Sequence, residues 1–114
     1  MIRAVYDRET LQLTVEGHAE SGPYGKDLVC AAVSALTLTL WENLRLLEQA
    51  DKLEGKLLDL DSGRACLSCN PKAPFRQEAE GVFQTVTRGI QCLSRIYPGY
   101  IHFTTKESKW KARM

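Results

Sequence analysis

The longest apolar segment of this 114-residue chain lies at residues 27–50, which read DLVCAAVSALTLTLWENLRLLEQA. Apolar residues recur there at spacings of three and four, which predicts a long helix beginning near Asp27 and ending near Ala50. The predicted apolar stripe consists of Leu28, Ala32, Ala35, Leu36, Leu40, Leu44 and Leu47. Other apolar residues flank this stripe, so the helix should be covered on more than one side. We expect a homodimer contact through this helix; the alternative is a central helix in a monomer.

The segments on both sides of this helix show the apolar and polar alternation of strands, and a second helical pattern lies between two of them. Strands are predicted at residues 2–6, 11–16, 56–60, 64–69 and 100–103, and a second helix begins at Pro74 and ends at Pro98. The order ββαββαβ predicts an α+β fold, a two-layer sandwich with two long helices against a mixed sheet. Residues 1–104 are expected to form a single domain and residues 105–114 a basic, frayed C-terminal tail.

Charge and composition narrow the classes of partner. Fifteen basic residues face fourteen acidic ones, a net charge of +1, so we expect no stable nucleic-acid complex. The longest uncharged run covers fourteen residues, from Leu28 to Trp41, whereas a bilayer-spanning helix needs about twenty, so no membrane contact is expected. Four cysteines without an apolar leader segment indicate free thiols in a reducing cytoplasm.

Two residues near the start of the long helix suggest nucleophilic chemistry. Cys30 falls in the predicted first turn, where free backbone N–H groups and the positive end of the helix dipole stabilise a thiolate. The same N–H groups, including that of Cys30, are candidates for binding an oxyanion. A thiolate that attacks a peptide carbonyl needs an imidazole, first as ion-pair partner and then as the acid that protonates the leaving amine. The sequence therefore predicts Cys30 as nucleophile and His18 as general base.

Each residue of this constellation also has a structural interpretation. Cys30 in an alanine-rich helix can be a small buried hydrophobe, and His18 beside a glycine can be a surface loop residue. Asp27 fits a helix cap better than a third catalytic member. Ser34 lies one turn after Cys30 on the same face, where small residues usually serve close packing.

The segment between the predicted base and nucleophile, GHAESGPYG at residues 17–25, contains Gly17, Gly22 and Gly25. Its glycines give the backbone unusual freedom, which suits either a simple turn or a lid over a binding site. Because the segment lies next to the predicted nucleophile, we favour the lid.

Metal chemistry finds little support in the sequence. Cys66 and Cys69 have a spacing used in zinc and redox sites, but they fall in a predicted strand, where alternation places their thiols on opposite faces. No second cysteine pair of that spacing exists to complete a site. We therefore expect no metal and no cofactor. His102, in the last predicted strand, is a reserve candidate for the base.

The stretches GHA at 17–19 and GKDLVCAAVSAL at 25–36 resemble the ribosomal-processing cysteine protease family of Firmicutes and related bacteria, called Prp. Length and element order also match that family over nearly the whole chain. The resemblance implies a homodimeric enzyme that removes a short hydrophobic N-terminal extension from a large-subunit ribosomal protein. It makes Cys30 the nucleophile and His18 the general base, places Asp27 and Ser34 at motif positions, and implies that the loop after His18 shifts over bound substrate.

Two other functions stay open from the sequence alone. One is a non-catalytic, ribosome-associated binding module that uses the basic tail and the surface of the first helix. The other is a structural dimer whose Cys30 senses oxidation without peptide turnover.

Overall fold

The computed structural model describes residues 1–18 and 27–106, and within these ranges the chain forms five strands and two long helices. The elements are β1 (Ile2–Asp7), β2 (Gln12–Glu16), α1 (Leu28–Gln49), β3 (Leu53–Asp61), β4 (Arg64–Pro71), α2 (Arg76–Ile96) and β5 (Ile101–Lys106). Their order is the predicted ββαββαβ. A 3-10 turn at Ala73–Phe75 precedes α2, so this helix begins slightly later than its Pro74 signal indicated.

The strands form one mixed sheet in the spatial order β3-β4-β2-β1-β5. β1 and β5 run parallel, whereas the other neighbouring pairs are antiparallel. Both helices pack against each other and contribute to one hydrophobic cluster with the inward-facing strand residues. This arrangement confirms the predicted two-layer α+β sandwich with a mixed sheet.

Alternation along the strands separates the two faces of the sheet. In β2, Leu13 and Val15 are buried beneath the helices, while Gln12 and Thr14 lie on the other face. Such a pattern is expected of a strand with one covered face. The largest fully buried side chains are Ile2, Leu11, Leu13, Leu40, Leu44, Leu67, Phe83, Ile90 and Ile101. Burial of a side chain of this size stabilises the fold by about 1.5–3 kcal/mol relative to exposure.

The buried face of α1 differs from the predicted stripe in the first half of the helix. Its buried residues are Val29, Val33, Thr37, Leu40, Leu44 and Leu47. Leu28 is 80% exposed and Ala35 is also exposed. In this half of the helix the predicted stripe is therefore shifted by one residue from the face that is buried. Apolar side chains surround this half of the helix, and spacing alone therefore fails to select a face.

Among residues 1–18 and 27–106, neither helix has the length and apolarity needed to span a bilayer.

Several strands extend beyond their predicted ends because pairing, and not local turn chemistry, sets their length. β4 includes Asn70 and Pro71, and Pro71 pairs with the first residue of β3 at the strand end, where proline is tolerated. β5 continues to Lys106, which pairs with Asp7. The strand therefore includes residues 105 and 106, which the sequence had assigned to the C-terminal tail. The rest of the predicted tail, residues 107–114, lies outside the described residues.

Candidate active site

Asp27 fixes the start of α1 and thereby the position of Cys30. The Asp27 backbone is extended, with φ −79° and ψ 96°, and its Oδ1 accepts a hydrogen bond of 2.9 Å from the Cys30 N–H. The first helical backbone bond runs from the Ala31 N–H to the Asp27 carbonyl oxygen, 3.0 Å. Asp27 is thus the N-cap, and the half-buried Cys30 lies in the first turn of α1, as the sequence predicted.

This cap has a consequence for oxyanion binding. The N–H of the third helical residue is the group that an N-cap carboxylate usually takes, and here it belongs to Cys30. The Cys30 N–H, a candidate for oxyanion binding, is therefore engaged by the Asp27 carboxylate in this structure. The dipole at the helix N-terminus still acts on the Cys30 thiol.

We expect Asp27→Ala to lower the free energy of unfolding by about 1 kcal/mol, because the Cys30 N–H loses its partner. Asp27→Asn should stay close to the wild type, since asparagine caps helices about as well as aspartate does. Urea unfolding followed by circular dichroism measures both. Equal losses in the two variants would show that the charge of Asp27, and not its capping bond, is what matters.

His18 follows β2 at a tightly held point of the chain. Gly17 has φ +97°, in the left-handed region, and a Cβ at this position would overlap the Met1 carbonyl oxygen. The Gly17 N–H donates to the Gly63 carbonyl oxygen over 2.8 Å, and the Met1 nitrogen donates to the His18 carbonyl oxygen over 2.6 Å. The backbone of His18 is therefore fixed from two sides as the chain leaves the sheet.

Cys30 and His18 line the same pocket, which has a volume of about 300 Å³. It lies between the end of β2, the first turns of α1 and the β3–β4 hairpin. Much of its wall is apolar and is formed by Ile2, Val15, Val33, Leu38, Leu60 and Ala65. The structure thus brings a thiol and an imidazole to one cleft with apolar walls, an arrangement that suits attack on a peptide bound through hydrophobic side chains.

The other residues singled out in the sequence take different places. Ser34 and Gly17 also line the pocket, whereas Asp27 is not among the described lining residues and acts through its cap. Gly22 and Gly25, with the rest of the predicted lid from residue 19 to residue 26, lie outside the described residues.

The β3–β4 hairpin supplies pocket residues that the sequence did not suggest, namely Asp61, Gly63 and Arg64. They reach the site because β4 pairs with β2, which sets Arg64 opposite Glu16; the Arg64 Nε lies 3.2 Å from the Glu16 Oε1. The turn falls in the gap that the predicted strands left at residues 61–63. The turn lies beside His18 because β4 pairs with β2, and no local sequence pattern predicts this long-range pairing.

The remaining candidate groups lie away from this pocket. Cys69 belongs to the core on the helix side of β4, whereas the Sγ of Cys66 faces the other side, 3.9 Å from the Thr14 hydroxyl oxygen. The two thiols therefore cannot share one ion, and no group of three possible ligands occurs among residues 1–18 and 27–106. His102 lies in β5, at the sheet edge opposite β3.

The four thiols should differ in reactivity. Near neutral pH we expect limiting iodoacetamide to label Cys30 first and the exposed Cys92 second, with Cys66 and Cys69 labelled only after unfolding. Burial raises the pKa of the Cys69 thiol to about 11, although Arg76 opposes the shift, so this group stays protonated and unreactive well above neutral pH. Peptide mapping by mass spectrometry gives the order. Labelling of Cys92 as fast as that of Cys30 would contradict an activated Cys30.

Comparison with known proteins identifies a family whose model the sequence matches. The sequence matches the family model described as cysteine protease Prp over residues 1–102. The comparison with curated proteins gives no match.

Among solved structures, the fold is similar to the essential ribosomal processing protease Prp from S. aureus in complex with a covalently linked product peptide. That chain is 22% identical, the match covers 93% of this chain and 100% of that one, and the TM-score is 0.73. SMU.848 from Streptococcus mutans is 27% identical, with 95% and 96% covered and a TM-score of 0.68. S. aureus Prp with a substrate peptide is 21% identical, with 92% and 97% covered and a TM-score of 0.63. The shared architecture extends over almost the whole chain.

Proposed function

This chain belongs to the cysteine protease Prp family, and we propose that it is the endopeptidase that removes a short hydrophobic N-terminal extension from a large-subunit ribosomal protein, supporting ribosome assembly. The observation that carries the proposal is the pocket shared by Cys30, in the first turn of α1, and His18, at the end of β2. The S. aureus Prp structures with a linked product peptide and with a substrate peptide support a peptide as the ligand.

The reaction uses these two side chains in sequence. His18 takes the proton of the Cys30 thiol, and the thiolate attacks the carbonyl carbon of the scissile peptide bond. When the tetrahedral intermediate collapses, the C–N bond breaks and the His18 imidazolium gives its proton to the leaving amine. A water molecule, deprotonated by His18, then hydrolyses the thioester and releases Cys30. No step requires a metal or a cofactor.

The pocket walls support a hydrophobic substrate. Leu38 of α1 is 49% exposed and Leu60 of β3 is 39% exposed, and both line the cleft that contains the thiol. Apolar side chains of a bound peptide would remove these surfaces from water, which contributes roughly 25 cal/mol per Å² of apolar area buried. Leucine side chains beside the nucleophile therefore favour hydrophobic residues next to the scissile bond.

The direct test offers the wild-type chain a ribosomal protein that carries the N-terminal extension and follows its mass. We expect loss of the extension at a single bond, and no change in the same protein made without the extension. An unchanged mass after long incubation would contradict the proposal. Association with ribosomal particles without any cleavage would favour the non-catalytic binding module instead.

The proposal also includes a homodimer and a cytoplasmic location. Apolar side chains of α1 that do not line the described pocket support the dimer: Leu46 is 49% exposed, and Trp41 is 36% exposed. Apolar side chains that are exposed together on one helix are typical of an interaction site. A single-chain mass in sedimentation equilibrium would contradict the dimer.

The four free thiols are consistent with a location in a reducing cytoplasm.

A further inference from the structure

We propose that Gly63, in the turn between β3 and β4, is a positioning residue for the His18 imidazole. This inference rests on the proposed role of His18 as the base. A Cβ placed on Gly63 would lie 2.9 Å from the His18 Nε2, with Cε1 and Cδ2 at 3.5 and 3.6 Å. The Nε2 edge of the ring therefore lies directly against the Gly63 backbone, and the absent side chain is what lets it occupy that place.

Two separate requirements act on residue 63. Its φ of +73° lies in the left-handed region, where glycine is favoured and asparagine is tolerated. The contact with His18 sets a second requirement, because any Cβ enters the space of the imidazole. Asparagine meets the first requirement and violates the second. This difference allows the backbone role of Gly63 to be separated from its contact with the base.

Hydrogen bonds and an ion pair link the hairpin turn to the end of β2, so the turn has little freedom to move away from a Cβ added at residue 63. The Gly17 N–H donates to the Gly63 carbonyl oxygen over 2.8 Å, and Glu16 pairs with Arg64 both in the sheet register and as an ion pair. The movable part of the contact is the imidazole. A side chain at position 63 should therefore displace the ring while leaving the fold largely intact.

We expect Gly63→Asn to keep nearly the thermal stability of the wild type but to lower kcat by about 10- to 100-fold, as a displaced catalytic group does. KM for the peptide should change little, because the apolar walls of the pocket stay in place. Gly63→Ala should lose the same activity and also some stability, through its strained φ. The matched control is Gly55→Ala in the same hairpin, where an added Cβ meets nothing within 4 Å and both properties should be unchanged.

A second readout does not depend on proteolysis. The chain has only two histidines, so their imidazole Cε1–H resonances are easily distinguished by NMR. In Gly63→Asn the His18 resonance should move, whereas that of His102, in the strand at the far sheet edge, should not. If the wild-type chain cleaves no peptide, the proposed function fails, but the NMR comparison still decides the contact. An unmoved His18 resonance, or a moved one with wild-type kcat, would overturn the inference.

Discussion

Replacing Cys30 by alanine should lower kcat/KM for the peptide substrate by at least about 10³-fold, because the covalent route to the product is lost. Cys30→Ser should also be almost inactive, since a serine hydroxyl beside a single imidazole is scarcely ionised. Neither change disturbs the Asp27 cap, which binds the backbone N–H of residue 30 and not its side chain. Helix content measured by circular dichroism should therefore match that of the wild type, and the loss is one of chemistry.

The matched control for this experiment is Cys92→Ala. Cys92 is an exposed free thiol on α2 and does not line the described pocket, so its removal should leave kcat/KM unchanged. Residual cleavage in Cys30→Ala that survives removal of contaminating proteases would exclude Cys30 as the nucleophile. A large loss in Cys92→Ala would point to a catalytic thiol on the other helix.

The largest effect on stability should come from Phe83→Ala, with a fall of about 3–5 kcal/mol in the free energy of unfolding. Phe83 is 0% exposed in the centre of α2, and its ring stacks on that of Tyr6 in β1 with centroids 5.8 Å apart and an interplanar angle of 9°. Truncation leaves a cavity at the contact between the helix layer and the sheet. A domain of this size is typically stable by about 5–15 kcal/mol, so the variant should be only marginally folded.

Ile96→Ala on the same helix is the control, because Ile96 is 65% exposed and its truncation should change stability by less than about 0.5 kcal/mol. Urea unfolding of both variants gives the comparison. A loss below about 1 kcal/mol in Phe83→Ala would mean that the surrounding core collapses into the space and that the aromatic stack contributes little.

Local sequence signals were sufficient for the elements and for the start of α1. The carboxylate of Asp27 before an apolar helix predicted the cap, and the short gap between the predicted strands 56–60 and 64–69 is where the structure has a hairpin turn. These signals act over three or four residues, the range at which hydrogen bonding and turn sterics operate. Element order followed from them, and with it the two-layer architecture.

Features that depend on distant parts of the chain could not be predicted from these local sequence signals. The first half of α1 is apolar on most sides, so only the finished packing shows that Val33 faces the core while Leu28 faces solvent. The pairing of β2 with β4 brings Gly63 to His18, although forty-five positions separate them in the chain. The residues themselves suggested His18 and Cys30 as base and nucleophile, and the motif resemblance strengthened that prediction. Spacing alone cannot place two side chains in one cleft.

The proposed acid–base residue follows the end of β2 in the sheet, and the proposed sulfur nucleophile belongs to the helix that covers the sheet. Their separation is consequently set by how the two layers slide and tilt on each other, and neither layer determines it alone. Loosening of that interface by heat or by mild denaturant should therefore misalign the reacting groups while both layers are still intact. Turnover in this protein should disappear at a lower temperature than helical structure does.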